Sequence, residues 1–447
     1  MKSLTPELSK HSKDPYYIQL YSYIRDEITS GSICDGERMP SLRSISSELK
    51  ISVTTAKQAY DQLTVEGYIS PKAGSGYYVN DIGGIGMYSK EREETVYEAG
   101  KEKLPAVYDL ACFDFNKWKK CSSRIYTEYS QLLLFEGDPQ GEYQLRYEIA
   151  KYVYNARGVI ARPEQIVIGA GTQQITVQLA RLLKALEIGH VAVEDPGYLP
   201  VRNIFSDNGF AMTLVPVRKD GILIEKLPEN ISCAAYVNPS NQFPTGAVMP
   251  VRKRKDLLKW AACNNSYVIE DDYDSELRYF GRPVPAMQGM DVSGRVIYLG
   301  SFSSTLFPAI KISYMILPEH AARVFDTIKM NYTQTCSKAE QLTLALFMNE
   351  GLYQTNIKKL RKLYAQKLQK VISSVTSYGN GAVSAKNTSS GINIILSSDN
   401  AVKIIEKGKE MGLSISPMQG DSDKAILYYN QIPLDRIEST IKELIQG

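Results

Sequence analysis

Histidine is scarce in this chain, with three residues in 447 (His11, His190 and His320). No two of them are neighbours, so the sequence gives little support for a histidine metal site or a serine–histidine–aspartate triad. The six cysteines are scattered without a CxxC pair, which favours reduced thiols over a disulfide framework. We therefore predict neither a metal centre nor a disulfide-stabilised fold.

Long apolar runs and a strong net charge are also missing. No run approaches the ~18 residues that a membrane-spanning helix needs, and the N-terminus lacks a signal-peptide core. These absences predict a cytoplasmic protein with no membrane partner. The formal net charge is +3, so any DNA contact must come from a local basic patch. With 447 residues, 43% of them hydrophobic, the chain is long enough for about three domains.

The first 80 residues carry the pattern of a small DNA-reading domain. Apolar residues at helical spacing in 16–31 predict one helix, and Ser41 can cap a second helix over 42–49. A tight turn then leads to a third helix over about 53–66, and such a pair forms a helix-turn-helix. The tail EGYISPKAGSGYYV predicts two strands around a glycine-containing turn, which makes the unit a winged helix-turn-helix.

The residue types of this segment suit contacts with duplex DNA. Arginines can pair with phosphates, a glycine-containing wing can approach the backbone, and the start of the second helix of the motif reads bases. The candidate DNA-binding residues are Arg38, Ser41, Arg43, Ser52, Thr54, Thr55, Lys57, Lys72 and Gly74. The alternative is a solvated polar surface that contacts no DNA.

The same segment resembles the GntR family of DNA-binding domains. The match runs through MPSLRSISSEL, ISVTTAKQ, EGYI and GSGYYV, and it covers nearly all of residues 13–79. The resemblance implies a regulator that binds an operator in double-stranded DNA. Val53 is a departure, because the family often has arginine early in the reading helix. Since residues 1–80 are nearly charge-balanced, we expect modest affinity per domain and binding as a homodimer to two half-sites.

The rest of the chain divides into a connector and a large α/β region. Residues 81–107 contain glycine and alternating charges with little periodicity, which predicts a linker. Between 108 and 447, helical stretches alternate with the apolar runs QIVIG, HVAVED, AAYVNP, YVIEDD, VIYLG and KISYMIL. This alternation predicts a mostly parallel sheet flanked by helices, with ligand sites at the strand ends. We expect a smaller α/β subdomain over about 335–447.

Several segments of this region resemble fold-type I aminotransferases. They are GDPQGEYQLRYEIAKYVYNARGV (137–159), GAGTQQ (169–174), EDPGY (194–198), NPSNQFPTG (238–246) and EDDYDSELRY (270–279). Their order behind a GntR-like domain resembles the MocR subfamily of regulators, over about residues 13–445. The resemblance implies an aminotransferase-like domain that dimerises and holds a pocket for pyridoxal phosphate (PLP).

By this resemblance, nine residues would line the cofactor or effector pocket: Gly171, Thr172, Tyr198, Asn241, Asp271, Tyr273, Ser301, Ser304 and Lys311. The first two would hold the phosphate at a helix N-terminus, helped by the Ser301 hydroxyl and by Lys311, where the family usually has arginine. Asp271 would pair with the pyridine nitrogen and Tyr273 with the ring hydroxyl, while Tyr198 would stack on the ring.

The segment VIYLGSFSSTLFPAIKISYMI (296–316) departs from the family at its reactive residue. Family members carry the Schiff-base lysine in the pattern S-x-S-K-T-L-x-P, and the lysine position here is Ser304, which cannot form an imine. The arginine that binds a substrate carboxylate is also missing, with Ile426 at its position. Asn241 replaces the histidine of the family's P-S-H-Q motif. We therefore predict that the domain is not a catalyst and that any PLP binds noncovalently.

These features favour one function and leave alternatives open. We expect a DNA-binding transcriptional regulator whose aminotransferase-like domain dimerises and senses a small-molecule effector. That effector is PLP, pyridoxamine phosphate or a preformed PLP–amino acid adduct, or else an unrelated molecule or none. The competing class is a PLP-dependent aminotransferase-type enzyme with an attached DNA-binding domain. A third alternative is a scaffold whose large domain only dimerises.

Overall fold

The protein, represented by a computed structural model, forms two compact units, one within residues 1–101 and the other within 102–447. The described residues are 6, 8–10, 12, 14–82, 109–279, 285–387 and 389–447. The predicted linker 81–107 lies outside them, apart from its first two residues. Within the described residues, no helix is both long and apolar enough to span a bilayer.

The described residues of the first unit form three helices and a two-stranded wing. Its elements are α1 (Tyr16–Thr29), α2 (Leu42–Leu49), α3 (Val53–Val65), β1 (Ile69–Lys72) and β2 (Gly76–Val79). Ser41 and Ser52 are the N-caps of α2 and α3, and their hydroxyls accept from the backbone N–H groups of Ser44 and Thr55. Such caps satisfy N–H groups that a helix leaves unpaired and contribute about 1 kcal/mol each. The predicted winged helix-turn-helix is confirmed.

An apolar core fixes the three helices against the wing. It includes fully buried side chains from each helix, among them Leu20, Ile45 and Leu63. Tyr60 of α3 is also buried, and its ring packs edge-on against Tyr77 of β2 with the centroids 5.1 Å apart. Because α3 and the wing share this core, their exposed residues keep a fixed relative position.

The second unit is built on an eight-stranded sheet. Its strands are β3 (Ile166–Gly169), β4 (His190–Asp195), β5 (Ala211–Arg218), β6 (Gly221–Ile222), β7 (Ala234–Val237), β8 (Tyr267–Asp271), β9 (Val296–Ser301) and β10 (Ser313–Ile316). The spatial order is β3-β10-β9-β8-β7-β4-β5-β6. The pairs from β9 to β5 are parallel, whereas β10 is antiparallel to both neighbours and β6 to β5. All six predicted apolar runs are strands of this sheet.

Helices cover both faces of the sheet. They are α4 (Phe115–Glu128), α5 (Tyr143–Arg157), α6 (Gly171–Ala185), α7 (Leu199–Asp207), α8 (Val251–Cys263), α9 (Glu319–Ile328) and α10 (Lys338–Asn349). Alternate residues of a strand point to opposite faces. Accordingly, Ile166 and Ile168 pack with α4, α5 and α10, while Val167 packs with α6, α7 and α9. The sheet is therefore the central layer between two helical layers.

The C-terminal part carries a second sheet. The elements of this C-terminal part are α11 (Leu352–Gly379), β11 (Ser384–Lys386), β12 (Asn393–Ser397), α12 (Ala401–Glu410), β13 (Ile415–Met418), β14 (Asp421–Tyr428) and α13 (Ile437–Gln446). The strands are antiparallel in the order β11-β12-β14-β13. The predicted fold class, a winged helix-turn-helix plus a fold-type I aminotransferase-like domain with a smaller C-terminal α/β part, is confirmed. The limits at 80, 108 and about 335 remain predictions.

Gly141, in the GDPQGEY segment, offers a test of this packing. Its φ is +102°, and a Cβ there would lie 2.7 Å from the side chain of Ile168. We predict that Gly141→Ala lowers the free energy of unfolding by about 1–3 kcal/mol, because backbone strain and overlap add. Urea denaturation of the full-length protein measures this change.

Gly189→Ala is the matched control for that experiment. A Cβ at Gly189 would meet nothing within 4 Å, and this residue is not among those with positive φ. The control should change the free energy of unfolding by less than about 0.5 kcal/mol. Equal stability of the two variants would contradict the packing described for Gly141.

Candidate functional site

A cavity of about 550 Å³ lies at the carboxyl ends of the parallel strands. Ligand sites of open α/β sheets form at this edge, and the volume suits a small molecule. Eight of the nine predicted pocket residues line the cavity: Gly171, Thr172, Tyr198, Asp271, Tyr273, Ser301, Ser304 and Lys311. Residues far apart in the sequence therefore meet in one place.

One end of the cavity is formed by the first turn of α6. Gly171 begins this 15-residue helix, and the N-cap residue Ala170 makes no side-chain capping hydrogen bond. Lys311 lies against Gly171, because a Cβ on that glycine would be 3.5 Å from the Lys311 Cδ. Nearby, the Ser301 Oγ accepts a hydrogen bond from the Ser313 Oγ at 3.0 Å. An uncapped helix N-terminus, a hydroxyl and a cation suit a bound anion such as a phosphate.

Another part of the cavity holds a buried carboxylate among aromatic rings. Asp271, the last residue of β8, accepts a hydrogen bond from the Tyr236 hydroxyl, and its backbone oxygen accepts from the Asn238 amide at 2.9 Å. Burial raises the pKa of Asp271 to about 6. Tyr198 packs edge-on against Phe243, with the ring centroids 5.8 Å apart. A carboxylate beside such rings suits a protonated heteroaromatic ligand.

Ser304 lines the cavity together with Asp274. Asp274 is 4% exposed, and neither of its oxygens has a hydrogen-bond partner of ordinary geometry among the described residues. Burial raises the pKa of Asp274 to about 6, although the Ser304 hydroxyl and the Ile392 backbone N–H are near enough to oppose this rise. Among the described residues that line the cavity, Lys311 alone carries an amine.

Asn241 is the predicted pocket residue that the structure does not bring to this cavity. Its side chain is buried, and its Oδ1 accepts a hydrogen bond from the Ser390 Oγ at 3.1 Å. Its Nδ2 lies against Gly391, where an added Cβ would be 3.0 Å away. Asn241 is therefore not among the residues that line this cavity, because its Oδ1 is engaged by the loop that precedes β12, and its contact with a ligand stays a prediction.

The position predicted to lack a carboxylate-binding arginine is apolar. Ile426 on β14 is 3% exposed and clusters with Ile395 and Met418. Phe243 and Tyr428 pack against this cluster and also line the cavity. A carboxylate placed against these side chains would lose its hydration without gaining a cation.

Further lining residues escaped the sequence reasoning: Ala170, Gln173, Asn238, Phe243, Asp274, Ser303, Ile392, Asn393 and Tyr428. Asn238, Phe243 and Asp274 belong to segments that the aminotransferase resemblance had already singled out, so a signal was available for them. Asn393 and Tyr428 come from the smaller sheet, where no recognised motif marked them.

A second candidate site is the exposed start of α3. Thr54 and Lys57 are exposed, and Val53 is 48% exposed. Thr55 is half-buried, and its hydroxyl lies 2.8 Å from the Ser52 Oγ. Because Ser52 already caps the helix, Thr54 and Lys57 are the more available side chains for a base edge or a phosphate.

The wing lies beside this helix. Arg38 pairs with Tyr78 of β2 through an isolated backbone bridge, so its exposed side chain belongs to the same surface. The Lys72 ammonium lies over the Tyr78 ring, 4.4 Å from the centroid. Gly74 has φ +72° at the tip, a conformation that favours glycine and allows close approach to a DNA backbone. Arg43 is exposed on α2.

Comparison with known proteins gives a family match for each of the two regions. Residues 16–79 match the family described as bacterial regulatory proteins, gntR family, and residues 108–412 match aminotransferase class I and II. The fold and the sites thus define a DNA-binding transcriptional regulator that carries an aminotransferase-like domain.

The chain belongs to the MocR-type regulators. It is 33% identical to the probable rhizopine catabolism regulatory protein MocR of Rhizobium meliloti, over 81% of this chain and 78% of that protein. It is 39% identical to the uncharacterized HTH-type transcriptional regulator YdeL of Bacillus subtilis, over 93% of this chain and 91% of that protein. The crystal structure of LysN, an alpha-aminoadipate aminotransferase from Thermus thermophilus, has the same fold. It matches with TM-score 0.68 and 21% identity, over 76% of this chain and 90% of that one.

The chemistry of residue 304 can be tested by restoring an amine. We predict that Ser304→Lys forms a borohydride-reducible covalent adduct with PLP, because a lysine there would reach the cavity beside Asp274. Intact mass after reduction measures the adduct. Ser303→Lys, at a neighbouring lining position, is the control and should be labelled much less. Equal labelling of the native protein would show that another lysine already reacts.

Proposed function

We propose that the aminotransferase-like domain is a noncovalent receptor for a phosphorylated pyridine ligand of the PLP type. Its occupancy would control operator binding by a homodimer of the full-length chain. The observation that carries this proposal is the cavity itself, which keeps the uncapped start of α6, Lys311 and the buried Asp271. These groups suit a phosphate at one end and a pyridinium at the other.

Catalysis is not part of this proposal. Transamination needs an amine that attaches the cofactor and moves a proton at the substrate α-carbon, and a serine hydroxyl at residue 304 does neither at neutral pH. Lys311 lies against Gly171, at the end of the cavity suited to a phosphate. The apolar surroundings of Ile426 offer no partner for a substrate carboxylate. A domain with these features can recognise a ligand without converting it.

The DNA contacts divide into positioning and reading. Arg38 and Arg43, with Lys72 on the wing, would contact phosphates and set the register of the domain on the duplex. Thr54 and Lys57 at the exposed start of α3 would contact base edges in the major groove. With Val53 at the position where arginine is frequent, base readout in each half-site would be weak, so two half-sites would be needed.

A homodimer formed through the large domain would present two winged helices, one for each half-site. The α4–α5 side of this unit exposes several large apolar side chains: Tyr126, Tyr129, Leu132, Tyr143 and Tyr147. A patch of this kind on a soluble unit is typical of a protein–protein contact. Here we assign it to a second copy of the chain, because a symmetric pair of winged helices matches a two-fold operator.

The effector role is tested on full-length protein and on genomic fragments that the protein itself selects. We predict that PLP changes the apparent affinity for such a fragment several-fold. Asp271→Asn and Lys311→Ala should each reduce this response while leaving ligand-free DNA binding intact, because both side chains lie in the cavity. Unchanged DNA affinity with every metabolite would instead support the scaffold. Turnover of an amino acid with a keto acid would support the enzyme.

The DNA surface makes a separate prediction. Arg43→Ala should weaken binding to any duplex and reduce the slope of log affinity against log salt by about 1, because one phosphate contact is lost. Thr54→Ala should instead alter the sequence preference. Lys442→Ala on α13 removes the same type of charge from the other unit and is the control. Loss of affinity in the control but not in Arg43→Ala would contradict the assignment.

A further inference from the structure

Asp274 is a buried acid that forms no ion pair with a cation among the described residues. Both of its oxygens lack an ordinary hydrogen-bond partner among the described residues, and it is 4% exposed. It lines the ligand cavity next to Ser304. Its nearby donors, the Ser304 hydroxyl and the Ile392 backbone N–H, are both neutral. A buried carboxylate without a cation is unfavourable, and a ligand that supplies a cationic donor there gains an ion pair that the described residues do not provide.

The described residues that line the cavity carry more negative than positive charge. Asp271 and Asp274 are its two carboxylates, and Lys311 is its one cation among the described lining residues. Asp271 already accepts a hydrogen bond from Tyr236, and Lys311 lies against Gly171. A phosphate would engage Lys311 and a pyridinium would engage Asp271. The remaining unmatched charge is that of Asp274.

The position of Ser304 indicates where a ligand would have to carry a cation to reach Asp274. By the resemblance described above, residue 304 stands where a lysine nitrogen would bond to the carbon that carries the aldehyde of PLP. A substituent on that carbon therefore faces Ser304 and the neighbouring Asp274. An aminomethyl substituent would carry an ammonium to this point, whereas an aldehyde or a hydroxymethyl group would not.

Resting on the proposed function, we propose that the effector is a phosphorylated pyridine with an aminomethyl group and without a carboxylate. Its ammonium would pair with Asp274 and take the place of the lysine that the chain lacks. Pyridoxamine 5′-phosphate has this chemistry. The apolar cluster of Ile395, Met418 and Ile426 behind Phe243 and Tyr428 disfavours an amino acid adduct, whose carboxylate would meet no cation there.

Asn241 is one internal group that lies near Asp274. Its Nδ2 has no hydrogen-bond partner among the described residues. Both side chains lie near Gly391, because a Cβ added to that glycine would be 3.0 Å from the Asn241 Nδ2 and 3.9 Å from the Asp274 Oδ2. A neutral amide that turned toward Asp274 would satisfy one oxygen at most. It would leave the carboxylate charge uncompensated, so the preference for an ammonium would persist.

The test compares ligands that differ at one group. Isothermal titration calorimetry of the full-length protein would use pyridoxamine 5′-phosphate, pyridoxine 5′-phosphate, PLP and N-(5′-phosphopyridoxyl)-alanine. The first two differ only in replacing an ammonium by a hydroxyl. We expect pyridoxamine 5′-phosphate to bind roughly 10- to 100-fold more tightly than pyridoxine 5′-phosphate, as a charge-assisted bond in a buried site would give. The carboxylate-bearing adduct should bind at least about tenfold more weakly than pyridoxamine 5′-phosphate.

Asp274→Asn tests the contribution of the Asp274 carboxylate charge. Asp274 has φ +55°, a conformation that asparagine tolerates well, so the variant keeps both the shape and the backbone of the loop. It should lower the affinity for pyridoxamine 5′-phosphate until it lies within about threefold of that for pyridoxine 5′-phosphate. Asp256→Asn, an exposed acid on α8, is the matched control and should leave the preference unchanged.

The pattern of outcomes distinguishes failure of this inference from failure of the proposed function. Equal binding of the amine, alcohol and aldehyde forms to the native protein would overturn the role of Asp274 and leave the noncovalent receptor standing. Tighter binding of the alanine adduct would overturn the carboxylate-free ligand. Failure of all four compounds to bind would overturn both proposals. Should Asp274→Asn fail to fold, the comparison of amine and alcohol on the native protein still decides.

Discussion

A buried ion pair between Arg157 and Asp272 holds the ligand cavity in shape. The Arg157 Nε donates to one carboxylate oxygen of Asp272 at 2.7 Å, and a terminal nitrogen donates to the other at 2.9 Å. Tyr298 and Ser275 also donate to Asp272, at 2.5 and 3.0 Å. Burial alone would raise the pKa of Asp272, but the guanidinium outweighs it and the pKa is lowered. With every partner in place the pair is tolerated, and removal of one partner would cost about 3–5 kcal/mol.

This ion pair matters because of its neighbours in the chain. Asp272 lies between Asp271 and Tyr273, both of which line the cavity, and Asp274 follows. Arg157 also donates to the Ser240 Oγ at 2.7 Å, in the segment that contains Asn238 and Phe243. One side chain at the end of α5 therefore fixes two cavity loops at once. A pocket held in this way is organised before any ligand arrives, which lowers the entropy lost on binding.

The sequence predicted the architecture more completely than the details of the site. Strands such as β7 and β8 are continuous apolar runs because both faces are covered, and the caps Ser41 and Ser52 mark their helices by residue type. By contrast, β5 has a single buried residue, Val215, and contains Pro216, and it was not among the predicted strands. The cavity residues Asn393 and Tyr428 come from strands of another sheet, and only the packing of the two sheets brings them to the pocket. The environment of Asp274 likewise depends on which donors its neighbours already use, and a linear pattern does not contain that information.

The buried acids connect the proposed ligand to the stability of the folded domain. Burial raises the pKa of Asp271 and Asp274 to about 6 and that of Glu194 to about 8. These values lie above those of an unfolded chain, about 4. The domain therefore loses stability as the pH rises through them, and near neutrality Asp271 and Asp274 carry negative charge that the described residues do not fully compensate. Under the proposed function, a cationic ligand would remove that penalty in the folded domain alone, so its binding free energy would add to the stability of the fold. A lysine at residue 304 would compensate the charge permanently and would remove this dependence on the ligand. The absence of an amine at residue 304 and the dependence on a cationic ligand would thus follow from the same substitution.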